Sequence, residues 1–470
     1  MVFNSLYFLL VFLPITLLLS FLTARWPRVQ NVILVLISFV FYAWGEPQFV
    51  IVLLLSILFN YFAGLELRQL KAEKNDKVEK IVLISGIAVN LLLLGSYKYL
   101  GFAIDNINAI FRSHIPAPGI GLPVGISFFT FSALSYLLDV HFEKCEAQRN
   151  PLTFALYISF FPKVLSGPIA RYADMEQQLT KRKITPVAVG EGLNLLLVGL
   201  AKKVLLADNL GTAFSAISQM DSMSSLTAIL GMIFYSLQLY YDFSGYSDMA
   251  IGIGRLMGFD LPQNFDHPYM SKNISEFWRR WHITLGMWFR NYVYIPMGGN
   301  RCSQKRQLLN LATVWLLTGL WHGASWSFVF WGVYHGAFVI LEKFVIKDKL
   351  DILPNAVRVF LSSLVVFFGW IFFFSPTLGS AFHYIGQIFG GGHMGLIDKT
   401  AIYYLTGNLL LMIAGFIGCG PLMSKLYKKN VYVKRPTMVY VSILAYVVLF
   451  GFCIAAMVSS TFSSFLYFQF

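Results

Sequence analysis

Apolar residues run along this chain in long blocks separated by short polar stretches. The blocks lie at 6–23, 29–44, 49–63, 81–100, 126–140, 152–165, 192–206, 226–241, 308–325, 329–346, 357–374, 401–418 and 439–458. A helix needs about 20 predominantly apolar residues to cross a bilayer, so the pattern predicts an all-α, polytopic membrane protein. Roughly eleven blocks are expected to span, the shorter ones being re-entrant, interfacial or buried. The polar stretches 68–80, 143–150, 173–183, 264–276 and 301–307 have loop length, and none could fold a soluble domain alone. With no internal repeat, which weakens an inverted-repeat transporter reading, a single membrane domain over residues 1–470 is expected.

Composition strengthens this picture. Hydrophobic residues make up 57% of the chain and charged residues only 13%, about half the share of a soluble domain. The net charge of +13 does not point to nucleic acid, because cytoplasmic loops of membrane proteins collect Lys and Arg beside anionic lipid. Residues 1–5 lack a positive n-region, so no cleaved signal peptide is expected. Positive charge follows the first block at Arg25 and Arg28, recurs through 68–80, and returns at Lys425, Lys428, Lys429, Lys434 and Arg435. That bias predicts extracytoplasmic N- and C-termini. Cys145, Cys302, Cys419 and Cys453 are scattered, and neither a zinc site nor a disulfide framework is expected.

Candidate chemistry lies where polar groups interrupt the apolar runs. His322 sits within the run 308–340, flanked by Thr318, Gly319, Gly323, Ala324 and Ser325. An ionisable group at membrane depth is costly and marks a functional site by default. An imidazole held from water stays neutral, and the neutral ring can take a proton from a hydroxyl. His335 follows thirteen positions later. On a continuous helix it would lie roughly 220° away, and it is read as structural.

Asn273-x-x-Glu276 resembles a capping box. The stretch Glu276 to Arg290 that follows, with Trp278, Trp281 and Trp288 among arginines, predicts a helix lying at the interface. On it Arg279 and His282 share a face, and Glu276 and Arg280 can pair. His282 could equally belong to an anchor and reach water. Tyr240 to Asp248 places Asp242 and Asp248 at the end of a block, where buried carboxylates need partners; Arg255 is the nearest in sequence. Phe161 to Arg171 mixes prolines with Lys163 and Arg171, predicting broken helix beside a cavity. These two cations could attract donor phosphates or pair with Asp242 or Asp248.

Several segments together resemble the membrane-bound O-acyltransferases, and within them the bacterial alginate O-acetylase branch. They are Ser127 to Phe131 with Tyr136 and Asp139, Phe160 to Ile169, Tyr241 to Asp248, Asn264-Phe265, Phe277 to His282, Tyr294 to Arg301, Gly319 to Gly323, and the terminal Tyr467 to Phe470. Met297 departs from the usual leucine. The resemblance implies a ring of tilted helices around a central funnel or tunnel, with a catalytic histidine at His322 and a second polar position at His282. It implies acyl transfer from a cytoplasmic thioester, most simply acetyl-CoA, to a hydroxyl for O-acetylation of an exported polysaccharide such as alginate.

On this reading His322 is the general base, while His282, or Arg279 beside it, orients the donor or stabilises the oxyanion. Trp321, Asp242, Asp248, Lys163 and Arg171 are candidate donor-binding residues. No metal or tightly held cofactor is expected. The expected setting is a bacterial inner membrane, with an extracytoplasmic acetyltransferase or polysaccharide-export protein as partner. D-alanyl transfer to teichoic acid and peptidoglycan O-acetylation on the same fold remain alternatives, as does a non-catalytic acyl conduit.

Overall fold

The computed structural model describes residues 2–422 and 436–459. The basic stretch 425–435 and the terminal 467–470 lie outside them. Every regular element among the described residues is helical. Among the described residues seven helices are long and apolar enough to cross a membrane: Pro27–Gly45, Pro47–Ala72, Asp76–Lys98, Trp326–Ile346, Asn355–Phe374, Lys399–Cys419 and Tyr440–Ser459. Phe8–Leu22, Leu100–Phe111 and Ile126–His141 are apolar but shorter. The block at 152–165 does not form one span. Helix Pro151–Ser159 stops at Phe160, and Pro162 sits in the first turn of a separate four-residue helix, Phe161–Val164. Proline is tolerated in a first turn but not in a helix interior, so the expected broken helix is present.

The side-chain distribution is that of a protein solvated by lipid. Leu36, Trp44, Ile51, Leu55 and Phe62 are exposed, while Ser38, Ser56, Asn60 and Asn90 are buried. Without water, buried polar groups must find partners inside the protein.

The helices gather into two compact units. The first comprises residues 1–196 and 246–263. In it Pro47–Ala72, Asp76–Lys98 and Ile126–His141 pack against one another. Asn60 and Asn90 exchange amide hydrogen bonds at 3.1 and 2.8 Å, and each also donates to a backbone carbonyl of its own helix, at Ser56 and Gly86. Gly64 lets the Tyr136 ring approach where any Cβ would lie within 2.6 Å of it.

The second unit comprises residues 197–245 and 264–470. Here Gln304–His322 packs on Trp326–Leu341, which packs on Asn355–Phe374. Its core is aromatic, with Trp281, Trp331 and Trp370 fully buried. The αα hairpin 304–341 turns near the junction of the two blocks expected at 308–325 and 329–346. Gly323 is extended (φ −171°) and Ser325 caps the next helix by accepting from the Phe328 N–H. The angular separation of His322 and His335 on a single helix therefore does not apply.

The Asn60–Asn90 pair yields a stability test. Asn60→Leu strands a buried amide and should lower stability in detergent by about 1 kcal/mol. The double variant Asn60→Leu/Asn90→Leu should recover part of that loss on thermal unfolding.

Candidate functional site

His322 is the last residue of the Gln304–His322 helix and only 3% exposed. The hairpin that carries it closes backbone against backbone. A Cβ on Gly319 would meet the Phe328 carbonyl oxygen at 2.4 Å, and one on Gly332 would meet the Trp315 carbonyl oxygen at 2.4 Å. That contact draws the second helix under the imidazole. Trp321, Trp331 and Phe373 stand edge-to-face around it, with ring centroids 5.0, 4.8 and 5.1 Å away.

His282 reaches the same region by a different route. The helix expected over 276–290 is broken into Ile274–Arg280 and Ile283–Phe289, each seven residues and too short to span. Between them Trp281 is extended and His282 is left-handed (φ 45°, ψ 54°), a conformation costly for a residue with a Cβ. Asn264 holds this turn. Its backbone carbonyl accepts from the Ile283 N–H at 2.9 Å. Its side-chain Oδ1 accepts from the Thr284 N–H and hydroxyl at 3.3 and 2.9 Å and lies 3.1 Å from His282 Nδ1.

His282 is 3% exposed, so the anchor reading in which it reaches water is overturned. Burial pushes its imidazole down to about 3. Two other local expectations hold. Asn273 accepts from the Glu276 N–H at 2.7 Å, and Glu276 pairs with Arg280 at 2.6 Å. The reciprocal half of the capping box is absent, because Glu276 takes the Lys272 N–H instead.

The two histidines line one cavity of about 830 Å³. Trp321 joins them from behind, its ring 5.8 Å from His282 and 5.0 Å from His322. Trp278, Trp315 and Thr318 continue the wall, and Arg279, Arg290, Lys343 and Arg358 add positive charge. Two carboxylates also line the cavity, and each is engaged. Glu342 accepts from the Ile274 and Ser275 N–H groups at the start of a helix, and Asp351 pairs with Arg358 at 2.7 Å. Arg279 and Arg290 are exposed and form no ion pair among the described residues. The cavity thus combines two buried imidazoles with cations available to an anionic ligand.

The remaining predicted residues lie elsewhere. Asp242 is buried and bonded to Lys203 at 2.6 Å, and Lys203 also bridges to Asp208 at 2.7 Å. Asp248, in the first unit, is half-buried. Arg255, expected beside these carboxylates, pairs with Glu191 and Asp260. In the first unit Lys163 is buried against the Tyr157 ring at 4.2 Å and donates to the Ser132 hydroxyl, while Arg171 pairs with Asp174. None of Asp242, Asp248, Lys163 and Arg171 lines the cavity holding the histidines. His335 is fully buried, packed on Trp278, Trp315 and Trp331. Sequence reasoning missed the roles of Asn264 and Lys203, and it did not single out Arg290, Lys343 and Arg358.

Comparison with known proteins decides the family. Residues 39–374 match the family model of the membrane-bound O-acyltransferases. The chain belongs to this family. A probable alginate O-acetylase AlgI of Azotobacter vinelandii is 35% identical over 425 residues, covering 89% of this chain and 84% of the relative. The AlgI protein of Pseudomonas aeruginosa is 34% identical over 93% of this chain and 84% of its own length. A peptidoglycan O-acetyltransferase of Helicobacter pylori is 32% identical over 86% of this chain and 83% of the relative. This membrane-bound O-acyltransferase is therefore an enzyme of acyl transfer, with alginate O-acetylases among its relatives.

Two outcomes follow for the membrane-bound O-acyltransferase. Gly332→Val wedges the hairpin apart at its backbone contact and should lower activity at least about 100-fold, with the protein still inserted on membrane fractionation. The second concerns acid. An unfolded His282, with its ordinary value of 6.5, binds a proton that the folded form refuses, so stability is lost as pH falls below about 6.5. The melting temperature should drop from pH 7 to pH 5, and His282→Asn should make that drop shallower.

Proposed function

We propose that this O-acyltransferase moves an acetyl group from acetyl-CoA to a hydroxyl, for O-acetylation of an exported polysaccharide such as alginate. The observation that carries this reading is the joint lining of one cavity by two buried imidazoles and by arginines open to an anion. A coenzyme A thioester needs both: cations for its phosphates and a base where the thioester meets a hydroxyl. His322 takes the hydroxyl proton as its oxygen attacks the thioester carbonyl. The C–S bond then breaks and the thiolate leaves, receiving that proton from the imidazolium. General-base assistance of this kind contributes roughly 10²–10⁴-fold. Arg279 and Arg290 hold donor phosphates or face the developing oxyanion.

The donor enters from the cytoplasm of a bacterial cell whose inner membrane holds the protein with both termini outside. The basic residues Arg25, Arg28 and those within 68–80 support this orientation. The acceptor is the polymer itself or a hydroxyl on an extracytoplasmic acetyltransferase that passes the acetyl group on. The likeness to the Helicobacter pylori peptidoglycan O-acetyltransferase favours a second reading, with the same chemistry directed at a cell-wall sugar. A teichoic acid D-alanyltransferase of Bacillus subtilis is 28% identical over 65% of this chain, which keeps a different thioester donor in view.

Purified protein with acetyl-CoA and a simple hydroxyl acceptor tests the reading. His322→Ala should remain inserted yet lose thioester consumption by at least about 100-fold; wild-type turnover in that variant would overturn the catalytic role. Arg279→Ala should raise KM for acetyl-CoA about ten-fold with a smaller change in kcat. Turnover of a carrier-protein thioester in place of acetyl-CoA would reassign the donor.

A further inference from the structure

The turn that carries His282 also determines which of its ring nitrogens holds the proton. The Thr284 backbone N–H points at the Asn264 side chain at 3.3 Å. A backbone N–H can only donate, so the amide atom facing it is the carbonyl oxygen. The same oxygen lies 3.1 Å from His282 Nδ1. A carbonyl oxygen can only accept, so the imidazole proton sits on Nδ1. A neutral imidazole carries one such proton, and its lone pair is then on Nε2. His282 lines the cavity whereas Asn264 does not, so the ring turns its Nδ1 edge into the protein.

We propose that Asn264 is a positioning residue that fixes His282 in the Nδ1–H tautomer and presents Nε2 to the cavity as a hydrogen-bond acceptor. Its burial, which disfavours the imidazolium, keeps that lone pair available. The consequence for catalysis rests on the acyl-transfer reading given above. An Nε2 lone pair repels an oxyanion, so His282 does not stabilise the tetrahedral oxygen. It takes a ligand N–H or O–H instead. In acetyl-CoA the amide N–H groups of the pantetheine arm have this chemistry, while the acceptor's hydroxyl proton goes to His322. Oxyanion stabilisation falls to a hydrogen-bond donor such as the Arg290 guanidinium, which lines the same cavity. The device is local and cheap to encode. One asparagine closes a left-handed turn through its backbone and selects a tautomer through its side chain.

Histidine-selective 15N labelling of the intact protein in membranes tests this, with His282→Asn identifying the His282 signals by their loss. The expected spectrum shows a protonated Nδ1 and a non-protonated Nε2 at His282. A protonated Nε2 there would overturn the proposal. Asn264→Leu removes the acceptor and should both abolish that tautomer preference and lower kcat/KM for acetyl-CoA about 100-fold. Asn264→Asp retains an acceptor oxygen, so Nδ1 should stay protonated and kcat/KM should exceed that of Asn264→Leu at least ten-fold. Equal losses in the two variants, with the His282 signals unchanged, would reduce Asn264 to a structural turn residue and overturn its role. Should Asn264→Leu fail to fold, the wild-type and Asn264→Asp spectra still decide. Full activity of His322→Ala would instead refute the acyl-transfer reading of the cavity, and the tautomer measurement does not depend on it.

Discussion

A polar group inside a bilayer has no water to turn to, and this constraint organises the whole protein. Each buried donor or acceptor must be matched by the chain itself or by a ligand. Where the match is internal, the group is structural. Asn60 and Asn90 satisfy each other, and Lys203 is enclosed by Asp242 and Asp208. Where polar side chains line a cavity instead, they can act on what enters it. His282 and His322 line one cavity together, unlike Asn60, Asn90 and Lys203. Both are shielded from bulk solvent by their own wall residues while lining the same cavity.

The neutrality of the His282 imidazole comes from burial rather than from charged neighbours, and both histidines are enclosed by aromatic rings. His322 meets Trp321, Trp331 and Phe373 edge-to-face, and His282 meets Phe243 at 4.7 Å and Trp321 at 5.8 Å. Such rings exclude water and hold an imidazole plane in one orientation without offering a strong hydrogen bond. The glycine contact between Gly319 and Gly332 lets this wall approach closely. Small residues at a helix crossing are the usual means of close packing in membranes, where no hydrophobic drive separates helix from lipid. Packing and site are thus joined: the crossing that stabilises the hairpin also builds the wall around His322.

Relatives of this chain include proteins named for alginate, peptidoglycan and teichoic acid. The cations of the cavity suit an anionic donor and its imidazoles suit a hydroxyl, and neither feature specifies which polymer carries the hydroxyl.

The sequence by itself determined the all-helical membrane class, because lipid solvation imposes a length and an apolarity that can be counted along a chain. It marked His322 as an ionisable residue in an apolar run, and it disclosed the Asn273 cap, the Glu276–Arg280 pair and, from the prolines of 161–171, a broken helix there. All of these depend on neighbours within a turn or two. The resemblance to the acyltransferases singled out His282, although spacing alone left it as an anchor equally well. Tertiary structure decided the rest. It broke the 276–290 helix at His282, because Asn264, eighteen positions earlier, holds a left-handed turn there. It gave Asp242 a partner thirty-nine residues upstream instead of the nearby Arg255. It also brought two histidines forty residues apart against one indole. Hydrophobic pattern records which face of a segment avoids lipid or water, whereas a cavity is made by side chains from several segments meeting in space. No local pattern carries that information.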